Sequence, residues 1–129
     1  MDRIPKDETR EDRIDLEAVV DAYGAEERAM GWYYYLSNRI DYDSEAIPAQ
    51  CMAERAISPL MVGDEVEILG MAPAEECEHE MFVMIRWGTP GEKQSLGVPL
   101  SQLKVTHASE QTREAIEDWR YWVNRGYQF

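Results

Sequence analysis

The run MVGDEVEILGMAPAEECEHEMFVMIRW, from Met61 to Trp87, decides the fold. It reads as two strands joined by a short acidic connection. Val66 and Ile68 fall on one face and Glu65 and Glu67 on the other, the period of two of a half-buried strand. Met81 to Ile85 is apolar without interruption, so the second strand is expected to be covered on both faces. Between them, Glu75, Glu76, Glu78 and Glu80 crowd around Cys77 and His79. Carboxylates at that density repel one another, and a polyvalent cation or a basic partner relieves the repulsion.

The whole chain carries the same excess. Against 13 Lys and Arg stand 26 Asp and Glu, a formal charge of -13, and this disfavours nucleic acid and anionic membrane surfaces alike. No basic patch with interleaved aromatics is present to offset it. Hydrophobic residues make up 44%, enough to bury a core, so the 129 residues are expected to form one domain. No apolar run reaches the roughly 20 residues that cross a bilayer. The opening MDRIPKDETRED lacks the apolar centre of a signal peptide, and a cytoplasmic location is expected. There Cys51 and Cys77 would be thiols rather than a disulfide.

Outward from the central run, residues 1–11 read as a flexible tail and a helix is expected from Asp12. Its stripe is Ile14, Ala18 and Ala22, widened by Leu16, Val19, Val20 and Tyr23, with Gly24 as its C-terminal stop. A second helix begins near Ala25, with Glu26 and Glu27 in its first turn. Its Trp32-Tyr33-Tyr34-Tyr35 run cannot face one side, so part packs inside and part lies near the surface. Residues 38–48 read as a loop, and Gln50 to Ala56 as a first strand. After Trp87 a Gly/Pro turn leads to a strand at Leu96 to Leu100, which Pro99 places at an edge. A helical turn at Ser101 to Leu103, a strand at Lys104 to Thr106 and a helix from Glu110 to Arg125 follow, with Gly126 as its cap. Ile116, Trp119 and Val123 form the inner stripe of that helix, and Trp119 and Trp122 read as core and covering residues. The fold class is α+β. A small curled antiparallel sheet or SH3-like barrel of about five strands is covered by two N-terminal helices and one C-terminal helix.

Two stretches have ligand chemistry. Asp41, Asp43 and Glu45 alternate as the first ligands of an EF-hand loop do, but Ala46 stands where its glycine belongs and Met52 where its bidentate glutamate belongs. That loop is therefore not an EF-hand. The turn at residues 75–80 has three readings: an oxygen site for calcium, a zinc site on Cys77 and His79, or a charged turn with no ligand. Zinc lacks nearby co-ligands, since only Cys51 and His107 remain. No glycine-flanked nucleophile, phosphate loop or metal-hydrolase helix is present, and no enzymatic activity is expected.

DAYGAEERAMGWYYYL (Asp21 to Leu36), RAISPL (Arg55 to Leu60), DEVEILGM (Asp64 to Met71), EECEHEMFVMIRW (Glu75 to Trp87), VPLSQL (Val98 to Leu103) and EDWRYWV (Glu117 to Val123) together resemble the small acidic calcium-binding proteins of cyanobacteria. The likeness runs in order from Arg13 to Phe129. It implies a compact, non-EF-hand fold that binds Ca²⁺ through surface carboxylates and acts as an intracellular buffer or sensor. It makes Glu75, Glu76, Glu78 and Glu80 candidate ligands. After YYYL the family tends to carry Glu-Asp where this chain has Ser37-Asn38, so Asn38, Asp41, Asp43 and Glu45 form a second candidate group, in which Asn38 offers an amide oxygen but lacks the charge of the acid it replaces. The alternative function is an acidic interaction module that docks a basic protein partner, with metal binding incidental.

Overall fold

The computed structural model describes residues 5–20, 22–40, 47–87, 94–105, 107–127 and 129. Its centre is a five-stranded antiparallel sheet in the order β4-β3-β2-β1-β5. The strands are β1 (Ile47–Cys51), β2 (Glu65–Met71), β3 (Phe82–Trp87), β4 (Gln94–Pro99) and β5 (Leu103–Val105). The sheet is open, so of the two expected forms the barrel is not the one adopted. Closure would require β4 to pair with β5, but β5 is only three residues long and packs against helix α3 (Glu110–Asn124).

The alternation in β2 is realised. Val66 and Ile68 are buried while Glu65 is exposed, and their register partners Ala49, Ile47 and Ile85 share the buried face. On the opposite face Glu67 and Arg86 form a cross-strand pair at 3.3 Å. β3 is thus covered less evenly than its apolar run suggests. Val83 and Ile85 are fully buried, but Phe82 and Met84, on the other face, are only half-buried. β4 is an edge strand, the position expected from Pro99, and it runs from Gln94 to Pro99 rather than from Leu96 to Leu100. Pro48 is tolerated inside β1 because β5 pairs only with Ala49 to Cys51, leaving Pro48 beyond that neighbour. β1 can therefore start earlier than the expected Gln50 to Ala56, and it also stops earlier, at Cys51.

The N-terminal region departs most from expectation. Helix α1 (Glu8–Arg13) begins inside the stretch read as a tail, capped by Asp7, whose carboxylate accepts the Arg10 N–H at 3.0 Å. It runs into a π-helical turn at Ile14–Ala18 and stops there. Leu16, Val20 and Tyr23 are consequently exposed instead of widening an apolar stripe. Gly24 does not end that helix: its backbone is extended (φ -137°, ψ 170°), and it is the N-cap of α2 (Ala25–Arg39). α2 crosses the π-turn at Gly31, where an added Cβ would lie 2.2 Å from the Ala18 carbonyl oxygen.

What holds α1 in place is Asp118 on α3, a carboxylate with no solvent exposure. It accepts from Arg10 at 2.7 Å, from Arg13 at 2.7 and 2.9 Å, and from the Tyr35 hydroxyl of α2 at 2.7 Å. Glu11 adds a second tie by accepting from the Tyr121 and Tyr127 hydroxyls, each at 2.6 Å. Trp32 sits at the centre of the helical layer, edge-on to Tyr35, Trp119 and Trp122 at 5.1–5.6 Å. Of its neighbours, Tyr33 is half-buried and Tyr34 exposed, the division expected of the aromatic run. α3 closes as its sequence indicates. Gly126 takes φ +82°, and the Gly126 and Tyr127 N–H groups return to the Val123 and Trp122 carbonyls. Among the described residues no helix is long and apolar enough to cross a membrane.

Asp118→Ala should lower stability by about 3 kcal/mol, since two guanidiniums and a phenol lose their acceptor at once. Both arginines keep some solvent contact, which holds the loss near the low end for a buried pair. Urea titration measures it. Gly31→Ala should cost about 1–3 kcal/mol by forcing α2 off the π-turn. Gly70→Ala is the control, because nothing lies within 4 Å of a Cβ there. Equal midpoints for the two alanine variants would contradict the close crossing.

Candidate functional site

Between β2 and β3 the chain makes a turn that is tied down at its ends and in the middle. At its start the buried Ala72 donates its N–H to the Phe82 carbonyl, and its own carbonyl accepts from the Tyr33 hydroxyl of α2 at 2.7 Å. Pro73 is extended, and a 3₁₀ turn follows at Ala74–Cys77, with the Glu76 N–H bonded to the Pro73 carbonyl. At its end the buried Met81 accepts from the Leu100 N–H.

Cys77 is the middle anchor. Its side chain is buried, and its sulfur accepts the Phe82 N–H at 3.4 Å. Burial raises the thiol's pKa, the Phe82 hydrogen bond opposes this, and the charge of Glu76 adds to it. A thiol turned into the core does not share a ligand position with His79, which is exposed. The zinc reading gains no support from this arrangement.

With Cys77 turned inward, Glu75, Glu76 and Glu78 are turned outward, and all three are exposed. None of them has an ion-pair partner among the described residues. Glu80 differs. Both of its oxygens are held by the Arg55 guanidinium, at 2.6 and 2.8 Å, and this pairing raises the pKa of Arg55. Among the described residues no three Asp, Glu, His or Cys side chains converge on one point as a finished metal site does. The donor chemistry nevertheless suits calcium: hard carboxylate oxygens on an irregular turn, with backbone carbonyls beside them. Glu75, Glu76 and Glu78 are the residues that would hold the ion.

Of the second candidate group, Asn38 is exposed on the last turn of α2, and Asp41, Asp43 and Glu45 lie outside the described residues. The turn also forms one wall of a groove of about 580 Å³. The other wall is the first half of α2, including Glu26, Met30, Tyr33 and Tyr34. Burial raises the Tyr33 hydroxyl pKa, and the neighbouring Cys77 and Glu75 reinforce the shift. Sequence reasoning missed Glu26 as a neighbour of the acidic turn, and it missed the Arg55–Glu80 pair. The first had a usable signal, an acid in the first turn of a helix whose aromatic run must pack near the sheet. The second had none, the partners being 25 positions apart.

A family model described as calcium binding matches residues 12–123. The chain is also similar to a crystal structure of CcbP from Anabaena, at 37% identity over 100% of both chains with a TM-score of 0.83. A structure of a calcium-binding protein in its calcium-binding form matches with the same identity, coverage and TM-score. No curated protein matches the sequence.

Two sets of variants separate the turn's carboxylates by role. Glu76→Gln with Glu78→Gln should leave the apo protein as stable as before, or slightly more so, because like charges are removed and no ion pair is broken. Calcium heat measured by titration calorimetry should largely disappear. Glu80→Gln should do the reverse, lowering apo stability by about 1 kcal/mol through loss of a partly exposed fork while keeping most of the calcium heat. Full calcium heat in the Glu76/Glu78 variant would move the site elsewhere.

Proposed function

We propose, from the premise that this chain belongs to the CcbP family of calcium-binding proteins, that it is a cytoplasmic calcium buffer whose principal ligands are Glu75, Glu76 and Glu78. The observation that carries the reading is the anchoring of the turn. Ala72, Cys77 and Met81 fix its backbone from inside, and Arg55 holds Glu80, while the three remaining carboxylates are left to solvent. Bound calcium supplies a divalent charge that cancels their mutual repulsion. The side chains then close on the ion while the backbone stays where the core holds it.

A buffer needs no more than this. A sensor of the EF-hand type exposes new apolar surface on binding. Here the buried anchors of the turn belong to the main hydrophobic core, so such an opening would dismantle the fold.

Calcium should raise the thermal midpoint more than equimolar magnesium. Magnesium demands near-ideal octahedral geometry and releases its waters reluctantly, whereas calcium accepts an irregular set of oxygens. At about 100 times its dissociation constant, the ion stabilises by about 2.7 kcal/mol. The far-ultraviolet circular dichroism and the hydrodynamic radius should stay constant through the titration. Equal midpoints in the two ions would reduce the effect to charge screening, and a change of radius would favour a sensor.

A further inference from the structure

We propose that the groove between α2 and the acidic turn docks a basic peptide segment through one large apolar side chain, and that calcium on the turn displaces it. The groove has an apolar floor. Met30 and Tyr34 are exposed there at 45% and 57% on the side of α2 that faces the turn, with Ala29 beneath them. Its volume of about 580 Å³ suits a large aliphatic or aromatic side chain with its neighbours. Both rims are acidic, with Glu26 on the helix and Glu75 and Glu78 on the turn, and no Lys or Arg is among the described lining residues.

An occupant must therefore be apolar in the middle and cationic on both flanks. That is the pattern of a peptide segment with Lys or Arg on either side of an anchor residue. A second copy of this chain fits poorly, because each copy carries a net charge of -13. Tyr33 fixes the distance between the two walls by its bond to the Ala72 carbonyl, so the groove exists before anything enters it. Such preorganisation removes part of the ordering cost of docking.

The displacement half rests on the calcium reading given above. Glu75 and Glu78 are at once rim residues of the groove and candidate calcium ligands. An ion held by them cancels the charge that attracts the basic flanks. Docking and calcium then oppose each other without any movement of the backbone.

The test uses the full chain and a fluorescein-labelled helical peptide of Lys and Ala with one central Leu, followed by anisotropy at fixed ionic strength. A second peptide has Ser in place of the Leu. The Leu peptide should bind about tenfold more tightly than the Ser peptide, the contribution of one well-buried anchor. Met30→Ser should remove that difference and leave calcium heat intact, since Met30 offers no ligand oxygen. Tyr34→Ser gives the same reading if Met30→Ser fails to fold. Calcium should raise the Kd of the Leu peptide for the wild-type chain more than sodium of equal ionic strength.

Equal binding of the two peptides, no binding at all, or no effect of either Ser variant would overturn the groove as a docking site. Self-association that Met30→Ser abolishes would make a second copy the occupant and overturn the proposal in that form. Peptide affinity indifferent to calcium would overturn the displacement. If calorimetry shows no calcium heat while the Leu peptide still docks, the calcium site fails and the groove stands. If calcium binds and the Leu peptide does not, the groove alone fails.

Discussion

The helical layer depends on one buried carboxylate. Asp118 gathers Arg10 and Arg13 from α1 and the Tyr35 hydroxyl from α2, so three elements distant in sequence share a single acceptor. A carboxylate with no solvent contact and no hydrogen-bond partners would be costly. Two guanidiniums and a phenol reverse this by filling its lone pairs in the geometry a carboxylate prefers. Burial, and then the hydrogen bond to Asp118, push the Tyr35 phenol's pKa up, and the same carboxylate raises that of Arg13. Because α1 has no buried side chain of its own, it is these ties and the Glu11 hydroxyl bonds that keep it on the molecule.

Arginine is used in the same way elsewhere in this chain of net charge -13. Arg10, Arg13, Arg39, Arg55, Arg86 and Arg125 all pair with acids of the fold, Arg39 with Glu17 among them. Cations engaged in this way cannot also neutralise the turn at residues 75–78. The surplus of acid is a property of the whole composition, but its location is a property of which carboxylates the arginines reach. Arg55 reaches Glu80 and stops there.

Much of this was legible from the chain. Alternation in β2, the edge position of β4 set by Pro99, and the Gly126 cap of α3 are local signals, each decided by a few neighbouring residues. The acidic turn was equally plain as a turn, but that Cys77 pins it shows only in its burial and its bond from the Phe82 N–H. Gly24 misled because a glycine between two helical patterns can end the first or begin the second, and only its backbone angles decide. The early end of the first helical segment was hidden in Gly31, whose missing side chain matters only once α2 lies against Ala18. Asp118 was half visible. It falls on the inner face of α3 with Ala115, Trp119 and Trp122, and an acid at such a position requires a buried cation. Which cations answer it, more than 100 residues earlier, is a matter of tertiary structure.

A fixed turn with mobile carboxylates also limits the ways an ion can act on the rest of the molecule. Its backbone is anchored by Ala72, Cys77 and Met81 in the main core, so any rearrangement of the turn would have to break core contacts. What remains is charge. On the calcium reading proposed above, any influence of the ion beyond the turn would pass through the field of Glu75, Glu76 and Glu78, over a range set by the Debye length of about 8 Å at physiological salt. The groove beside α2 lies within that range because Glu75 and Glu78 line it. Linkage makes the effect reciprocal: a cationic occupant of the groove weakens calcium by the same factor by which calcium weakens the occupant. A buffer built this way would have its affinity set by what it holds, with no second conformation required.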